Sequence, residues 1–188
     1  MNVPGVTTAG SSGAVTKPPH DGVLADDFLA RARALAPKLA AAAPQIEAGR
    51  ELTPEVVAAL HETGLFRMLL PRTLGGGELP PDAFVQAVEV IAAADASTAW
   101  CVAQTSICST LAASLRPEVA RNVFAERSLL AWGPFSPKAK AAACAGGYRI
   151  SGAWAFASGS RHAAWLAAHC PVIETDGCLL YTSDAADE

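Results

Sequence analysis

The chain has 188 residues and a formal net charge of −4, and its Lys and Arg residues are scattered rather than clustered. Nucleic acid is therefore not expected as a partner, because its recognition needs a basic patch. No apolar run reaches the roughly 18 residues of a membrane span, and no charged segment followed by an apolar one opens the chain. We therefore expect no membrane partner and a cytoplasmic location.

The five cysteines favour free thiols. Their number is odd and no CxxC pair occurs, so neither a disulfide framework nor a zinc site is expected. The sequence predicts no bound metal, and it predicts buried thiols at Cys101, Cys108, Cys144, Cys170 and Cys178.

Residues 1–22 are rich in Gly, Ser, Thr and Pro, offer little to bury, and are expected to form a disordered lead-in. Apolar residues then recur at helical spacing and predict a first helix over residues 24–49. Pro37 and Pro44 should kink or split this helix, because proline removes a hydrogen bond from a helix interior.

Further helix signals follow. Thr53, with Pro54 and Glu55 after it, predicts the capped start of a second helix, and Gly64 predicts its end. Residues 65–79 are expected to be a loop.

Three more helices are predicted beyond this loop. One covers residues 81–94, and Asp95 is placed to cap the next, which carries Trp100. A short fifth helix is predicted over residues 117–126.

Apolar segments separated by turn residues then predict strands over residues 129–135, 147–158 and 165–173. Helices first and strands afterwards predict an α+β fold with segregated layers. The predicted boundaries are a helical domain at residues 23–127 and a β domain at residues 128–177.

Residues 147–159 carry the most informative pattern, because alternate side chains of a strand share one face. Aromatic surface that ends in a hydroxyl suits a flat heteroaromatic ligand. The alternative is a sheet that packs its aromatic face into a core. The side chains on this predicted face are Tyr148, Ile150, Trp154, Phe156 and Ser158.

From about residue 24 to residue 177, the order of the motifs resembles the acyl-CoA dehydrogenase superfamily. The resemblance is carried by residues 52–66, 70–71, 75–77, 94–100 and 147–159. It implies an N-terminal all-α domain followed by the start of an antiparallel β-barrel. Family members continue with the rest of the barrel and a C-terminal helical bundle that closes the flavin site and forms a homotetramer. The chain alone is therefore expected to be inactive and to bind flavin weakly or not at all.

Within the superfamily, residues 157–165 are similar to the two-component flavin-dependent monooxygenases, and Trp132-Gly133-Pro134 stands where dehydrogenases show Thr-Glu-Pro. This resemblance implies an oxygenase component that receives reduced flavin, FAD or FMN, from a separate flavin reductase. A flavin hydroperoxide would then hydroxylate a small substrate, for example an aromatic one.

The resemblance also implies roles for individual residues. The Ser158 hydroxyl would be catalytic through a hydrogen bond at flavin N5. Trp132 and Gly133 would present backbone groups to the pyrimidine edge of the flavin, and Phe156 would pack beside the ring.

Helical spacing places Gln104 on one face with Trp100, Cys108 and two apolar residues, Ile107 and Leu111. A polar side chain on this face either lines a substrate pocket or forms hydrogen bonds within the core. Some superfamily members carry a substrate-activating histidine where Cys108 stands. We therefore name Trp100, Gln104 and Cys108 as candidate substrate-pocket residues.

Other polar residues have plainer interpretations. His162 is either a structural histidine or a catalytic base. The glycines at 75–77 follow no strand and are expected to form a turn rather than a dinucleotide site. Arg67 and Arg72 are expected to be solvated surface charges.

Two other functions stay open at this point. One is a flavin-dependent acyl-CoA dehydrogenase that passes a hydride from the substrate β-carbon to flavin. The other is a helical interaction module without a cofactor.

The end of the chain fits the resemblance least. Residues 174–177 are expected to form a hairpin turn, whereas residues 178–188 do not resemble the family's continuation and are treated as an atypical tail.

Overall fold

The computed structural model describes residues 21–134, 136, 138–173 and 179–181. A disordered lead-in was expected at residues 1–22. Its first twenty residues lie beyond the described residues, as do the turn expected at 174–177 and the tail outside residues 179–181. Residues 21 and 22 belong to the first helix, so the lead-in prediction is wrong for these two positions. Where the chain is described, no helix is long and apolar enough to cross a membrane.

Within the residues that the structure describes, five α-helices form the first layer, and their positions follow the sequence predictions closely. They are α1 (Asp21–Gly49), α2 (Pro54–Glu62), α3 (Pro81–Ala94), α4 (Ala96–Ser109) and α5 (Pro117–Val123).

Pro37 and Pro44 were expected to kink or split the first helix. Helix α1 runs through both prolines without interruption, so they do not split it, and the kink stays a prediction. The apolar face of α1 is held by packing on both sides of Pro37, since Leu35 and Leu39 are buried in the core. This packing compensates for the hydrogen bonds that the prolines remove.

The predicted helix caps of α2 and α4 are confirmed. Thr53 Oγ1 accepts a hydrogen bond from the Val56 N–H at 3.4 Å, and Asp95 Oδ1 accepts one from the Thr98 N–H at 2.6 Å. Gly64 adopts a positive φ of 73° just after α2, as expected of a glycine that ends a helix.

Residues 65–79 are a compact loop with 3-10 turns at Leu65–Arg67 and Arg72–Leu74. A Cβ on Gly76 would lie 1.9 Å from the Leu70 carbonyl oxygen, so the turn needs glycine there. The Arg67 side chain is bonded to the backbone, so the prediction that it is a solvated surface charge is wrong. Its guanidinium donates to backbone carbonyls of this loop and of the segment after α5, at Leu74, Gly75, Phe124 and Ala125.

The second layer consists of short strands. They are β1 (Leu130–Gly133), β2 (Lys140–Cys144), β3 (Gly147–Ser151), β4 (Trp165–Ala168), β5 (Val172–Ile173) and β6 (Leu179–Tyr181). The order of helices before strands confirms the α+β prediction.

The strand pairing is mixed. Antiparallel pairing joins β2 to β3 and β5 to β6, as the resemblance implied, but β1 pairs with β4 and β2 with β5 in parallel. The long connections between these strands allow parallel pairing, because only a short hairpin imposes an antiparallel arrangement. Strand β2 is absent from the sequence predictions.

Four cysteines within the described part of the chain are free thiols. Cys108 is buried and Cys101 and Cys170 are half-buried, but Cys144 is exposed at the end of β2, so the prediction of a buried thiol is wrong there.

Candidate functional site

The predicted long strand over residues 147–158 ends at Ser151, so the proposed alternation of side chains does not extend to Ser158. A Cβ on Gly152 would lie 2.5 Å from the Cβ of Ala139, and Phe156 has a positive φ of 60°. The close approach and the left-handed backbone break the strand. The aromatic residues beyond Ser151 are therefore positioned individually rather than by one sheet face.

Trp154 and Phe156 occupy opposite environments. The Trp154 ring lies against Gly133, where a Cβ would be 2.8 Å from Trp154 Cγ, and its Nε1 donates to the His169 carbonyl oxygen at 3.2 Å. Trp154 thus contacts the end of β1 and the residue that follows β4. Phe156, in contrast, is 91% exposed, which leaves its ring available for contact with a ligand.

Ser158 is held against helix α4. The indole Nε1 of Trp100 donates a hydrogen bond to Ser158 Oγ at 2.9 Å. The next residue, Gly159, has a φ of +80°, and a Cβ there would lie 3.2 Å from Thr105 Oγ1. The left-handed glycine therefore lets the backbone approach α4 closely and brings Ser158 to Trp100. The sequence named both residues as site candidates but gave no sign of the bond between them.

Trp100 and Ser158 border an open cleft of about 490 Å³ between α4 and the segment after β3. The charged residues at its edge include Arg50, Glu51 and Arg161, and Arg161 forms an ion pair with Glu51 at 3.0 Å. Sequence analysis missed these three residues, because they are distant in sequence and belong to no motif. The remaining lining residues are Ala96, Ser97, Cys101, Ala157, Gly159, Ser160 and His162.

The predicted substrate-pocket residues of α4 separate into two groups. Trp100 is 59% exposed and Gln104 is half-buried, whereas Cys108 is only 5% exposed and packs in a hydrophobic cluster with Leu70 and Phe124. Cys108 is thus a core residue, which corrects its assignment to the pocket. Helical spacing alone did not reveal this, because β1 covers the Cys108 side of α4.

Strand β1 meets α4 at Cys108. Burial raises the pKa of the Cys108 thiol, and a hydrogen bond from the Trp132 backbone partly offsets this rise. The Trp132 side chain is partly exposed, and its ring stacks with that of His169 at a centroid distance of 6.5 Å. The Gly133 carbonyl accepts a hydrogen bond from the His169 N–H at 3.0 Å. Trp132 and Gly133 therefore lie on the strand beside α4.

His162 has a structural contact that explains its presence. Its Nε2 accepts a hydrogen bond from the Leu52 N–H at 3.2 Å, which requires the neutral imidazole. Burial lowers the pKa of His162, Glu51 opposes this effect and Arg161 adds to it. The structural interpretation of His162 therefore accounts for its position without a catalytic role.

Comparison with known proteins gives a consistent result. The family described as "Acyl-CoA dehydrogenase, N-terminal domain" matches residues 25–123. The chain is 32% identical over 145 residues to the flavin-dependent monooxygenase oxygenase subunit HsaA of Rhodococcus jostii, covering 77% of this chain and 38% of that protein. It is 36% identical over 141 residues to the oxygenase component of an FADH(2)-dependent resorcinol hydroxylase of Rhizobium, covering 73% of this chain and 34% of that protein.

Among solved structures, the 3-HSA hydroxylase from Rhodococcus sp. RHA1 superposes with a TM-score of 0.76 at 31% identity. The matched region covers 82% of this chain and 41% of that structure. The chain thus spans well under half the length of the proteins that it resembles.

Proposed function

Because the chain belongs to the acyl-CoA dehydrogenase N-terminal domain family, we propose that it supplies one wall of the flavin site in the oxygenase component of a two-component monooxygenase. The observation that carries this proposal is the hydrogen bond from Trp100 to Ser158 at the edge of an open cleft. It fixes a hydroxyl beside exposed aromatic surface, as the recognition of a flat heteroaromatic ring requires.

The residues present fit a flavin. Phe156 is almost fully exposed although it is a large apolar side chain, and Trp132 is also partly exposed. Rings of this kind would pack against the face or edge of an isoalloxazine system, and the Ser158 hydroxyl would form a hydrogen bond with a polar atom of the ring. Trp132 and Gly133 lie on β1, which packs against α4, and their backbone would meet the pyrimidine edge.

Bound in reduced form, flavin would supply the two electrons that oxygen activation requires. The chain's own residues would bind and orient it. Ser158 would hold the ring through one hydrogen bond, Phe156 would exclude water from one side, and Trp100 and Gln104 would border the substrate space along α4. FAD and FMN both satisfy these contacts.

The proposed partners follow from this role. A separate flavin reductase would deliver the reduced flavin, and a small, for example aromatic, molecule would be the substrate. We also propose a homotetramer for the whole protein, which is what the resemblance to the family implies.

The test uses the whole gene product and separates oxygenase from dehydrogenase activity. Reduced FAD or FMN is mixed anaerobically with the protein, oxygen is added, and flavin absorbance is followed. An oxygenase component binds the reduced flavin and changes the time course of its reoxidation. A dehydrogenase would instead bind oxidised flavin and lose the yellow colour when an acyl-CoA thioester is added without oxygen.

A matched pair of variants assigns the effect to the site. Ser158→Ala removes the hydroxyl that Trp100 holds, whereas Ser160→Ala removes an exposed hydroxyl that borders the same cleft. We expect only Ser158→Ala to alter reoxidation. A protein with no affinity for either form of flavin would favour the third alternative, a helical interaction module.

A further inference from the structure

We propose that Trp100 is a positioning residue that orients the Ser158 hydroxyl as a hydrogen-bond acceptor, so that the cleft favours a ring N–H over a bare ring nitrogen. The inference rests on the proposed flavin site and goes beyond it, because it assigns the preference for one redox state of the flavin to an indole on α4.

Trp100 and Ser158 differ in their hydrogen-bonding capacity. An indole N–H can only donate, whereas a serine hydroxyl has one proton to donate and two lone pairs that accept. The bond from Trp100 Nε1 at 2.9 Å therefore occupies one lone pair of Ser158 Oγ. One lone pair and the hydroxyl proton are left.

The hydroxyl proton of Ser158 has an acceptor within the chain. The Ser158 hydroxyl lies 3.5 Å from the Phe156 carbonyl oxygen, which already accepts the Ser158 backbone N–H at 2.8 Å. With Trp100 on one side and this carbonyl on the other, the proton is directed toward the chain's own backbone. A ligand can therefore donate a hydrogen bond to the second lone pair without displacing either existing contact of the hydroxyl.

Trp100 and Ser158 are both held in place by the surrounding structure. Helix α4 is fixed by the Asp95 cap and by the complete burial of Thr98 and Val102, so Trp100 projects from a rigid element although its ring is largely exposed. Ser158 lies in a turn held by backbone hydrogen bonds, from its own N–H to the Phe156 carbonyl at 2.8 Å and from the Ser160 N–H to the Ala157 carbonyl at 3.1 Å. The bond therefore joins two fixed groups and loses little entropy.

The consequence depends on the redox state of the flavin. Nitrogen N5 carries a hydrogen in reduced flavin and none in oxidised flavin. A Ser158 hydroxyl that is oriented as an acceptor can accept a hydrogen bond from the N5–H of reduced flavin. Oxidised N5 can only accept, so the hydroxyl would have to rotate and lose its contact with the Phe156 carbonyl. Without the indole N–H, the hydroxyl can rotate freely and can donate or accept. The affinity for reduced flavin should then exceed the affinity for oxidised flavin by a smaller factor.

The experiment measures dissociation constants of reduced and oxidised flavin, anaerobically, for the whole gene product and for Trp100→Phe, Ser158→Ala and the double variant. Trp100→Phe keeps an aromatic ring and removes the N–H. We expect it to lower the ratio of oxidised to reduced dissociation constants about threefold to tenfold, the range of a single net hydrogen bond. In the Ser158→Ala background the same substitution should leave the ratio unchanged, because Trp100 acts through Ser158.

Trp154→Phe is the matched control. It also removes an indole N–H, but this N–H bonds to the His169 carbonyl and not to Ser158. We expect its ratio to equal that of the unaltered protein. If the loss of any indole ring altered the ratio, whatever its hydrogen bond, both Trp100→Phe and Trp154→Phe would change it. That result would overturn the proposal.

A second readout is independent of flavin. In two-dimensional 1H–15N NMR spectra, the indole resonance of Trp100 should shift when Ser158 is changed to alanine and should stay in place in Ser160→Ala. An unmoved Trp100 resonance in Ser158→Ala would overturn the proposal, even if Trp100→Phe failed to fold. Unaltered protein that binds neither form of flavin would overturn the proposed function as well, whereas normal binding with an unchanged ratio in Trp100→Phe would overturn the role of Trp100 alone.

Discussion

The helical layer and the strand layer differ in how much of their apolar surface they bury. Both hydrophobic clusters lie between Phe28 and Leu130, and the first contains side chains such as Leu39 and Leu60 that are fully buried. Beyond Leu130, the buried hydrophobic residues of the described chain are alanines, at 131, 139 and 141. All five residues of β3 are exposed. The helical layer thus forms its own core, whereas the strand layer presents a surface, and the candidate site lies where the two layers meet.

The largest expected effect tests this contrast in burial. Leu60→Ala in α2 removes a fully buried side chain and should lower the free energy of unfolding by about 2–5 kcal/mol. Leu166→Ala in β4 removes one that is 50% exposed and should cost less than about 1 kcal/mol. Urea denaturation followed by circular dichroism measures both. Equal losses would mean that the strand layer also has a tightly packed core.

A second pair of variants tests the close packing of the loop within the helical layer. Gly76→Ala would place a Cβ against the Leu70 carbonyl and should destabilise the protein by about 1–3 kcal/mol. Gly49→Ala at the end of α1 adds a Cβ whose nearest neighbour is 4.0 Å away, so stability should change by less than about 1 kcal/mol. Thermal unfolding of the two variants compares them directly. If Gly76→Ala were as stable as Gly49→Ala, the loop would not be as tightly packed as described.

A third prediction concerns the helix that supports the site. Asp95→Ala removes the cap of α4 and should cost about 1 kcal/mol. Asp82→Ala removes an exposed acid in the first turn of α3, where no side chain caps the helix, and should cost less. The Trp100 indole resonance should also broaden or shift in Asp95→Ala alone. If the resonance is unchanged, α4 does not depend on its cap for the geometry of the site.

The smallest expected effect concerns a contact between the layers. The folded pKa of His162 is lowered, so the folded state favours the neutral imidazole that accepts from Leu52. Its stabilisation is fully present above the unfolded pKa, near 6.5, and is lost as pH falls through the folded pKa. Between pH 7.5 and pH 5, the free energy of unfolding should therefore fall less in His162→Gln than in the unaltered protein, as measured by urea denaturation at each pH.

His61 also contributes to the slope of the free energy of unfolding against pH, and it serves as the comparison for His162. The pKa of His61 is also lowered, mainly by burial and further by Arg127 and Arg67. His61→Gln should remove its own part of the slope, and the double variant should remove both. A slope that is identical in unaltered protein and in His162→Gln would contradict the proposed contact between the layers.

The helical layer could be predicted well from the sequence because its signals are local. The caps at Thr53 and Asp95 and the stop at Gly64 depend on neighbouring residues, and all three are confirmed. Pro37 was misleading because distant packing against α3, rather than local propensity, maintains α1. The role of Arg67 was missed for the same reason, since its carbonyl partners include residues more than fifty positions away.

The strand layer was harder to predict because its structure depends on pairing. Strand β2 consists mainly of alanine and lacks the β-branched residues that mark a strand, and its partners β3 and β5 give it its conformation. The break after Ser151 arises from the contact of Gly152 with Ala139, which no local pattern reveals. The resemblance correctly identified the family, but the bond between Trp100 and Ser158 joins residues 58 positions apart and required the fold.

The central claim is that the Ser158 hydroxyl meets N5 of a bound flavin, and nitrogen NMR of flavin labelled with 15N at N5 tests it most directly. In the whole protein under anaerobic conditions, the N5 resonance of reduced flavin should shift when Ser158 is replaced by alanine and should be unaffected by Ser160→Ala. An N5 resonance that is the same in the unaltered protein and in Ser158→Ala would contradict the account.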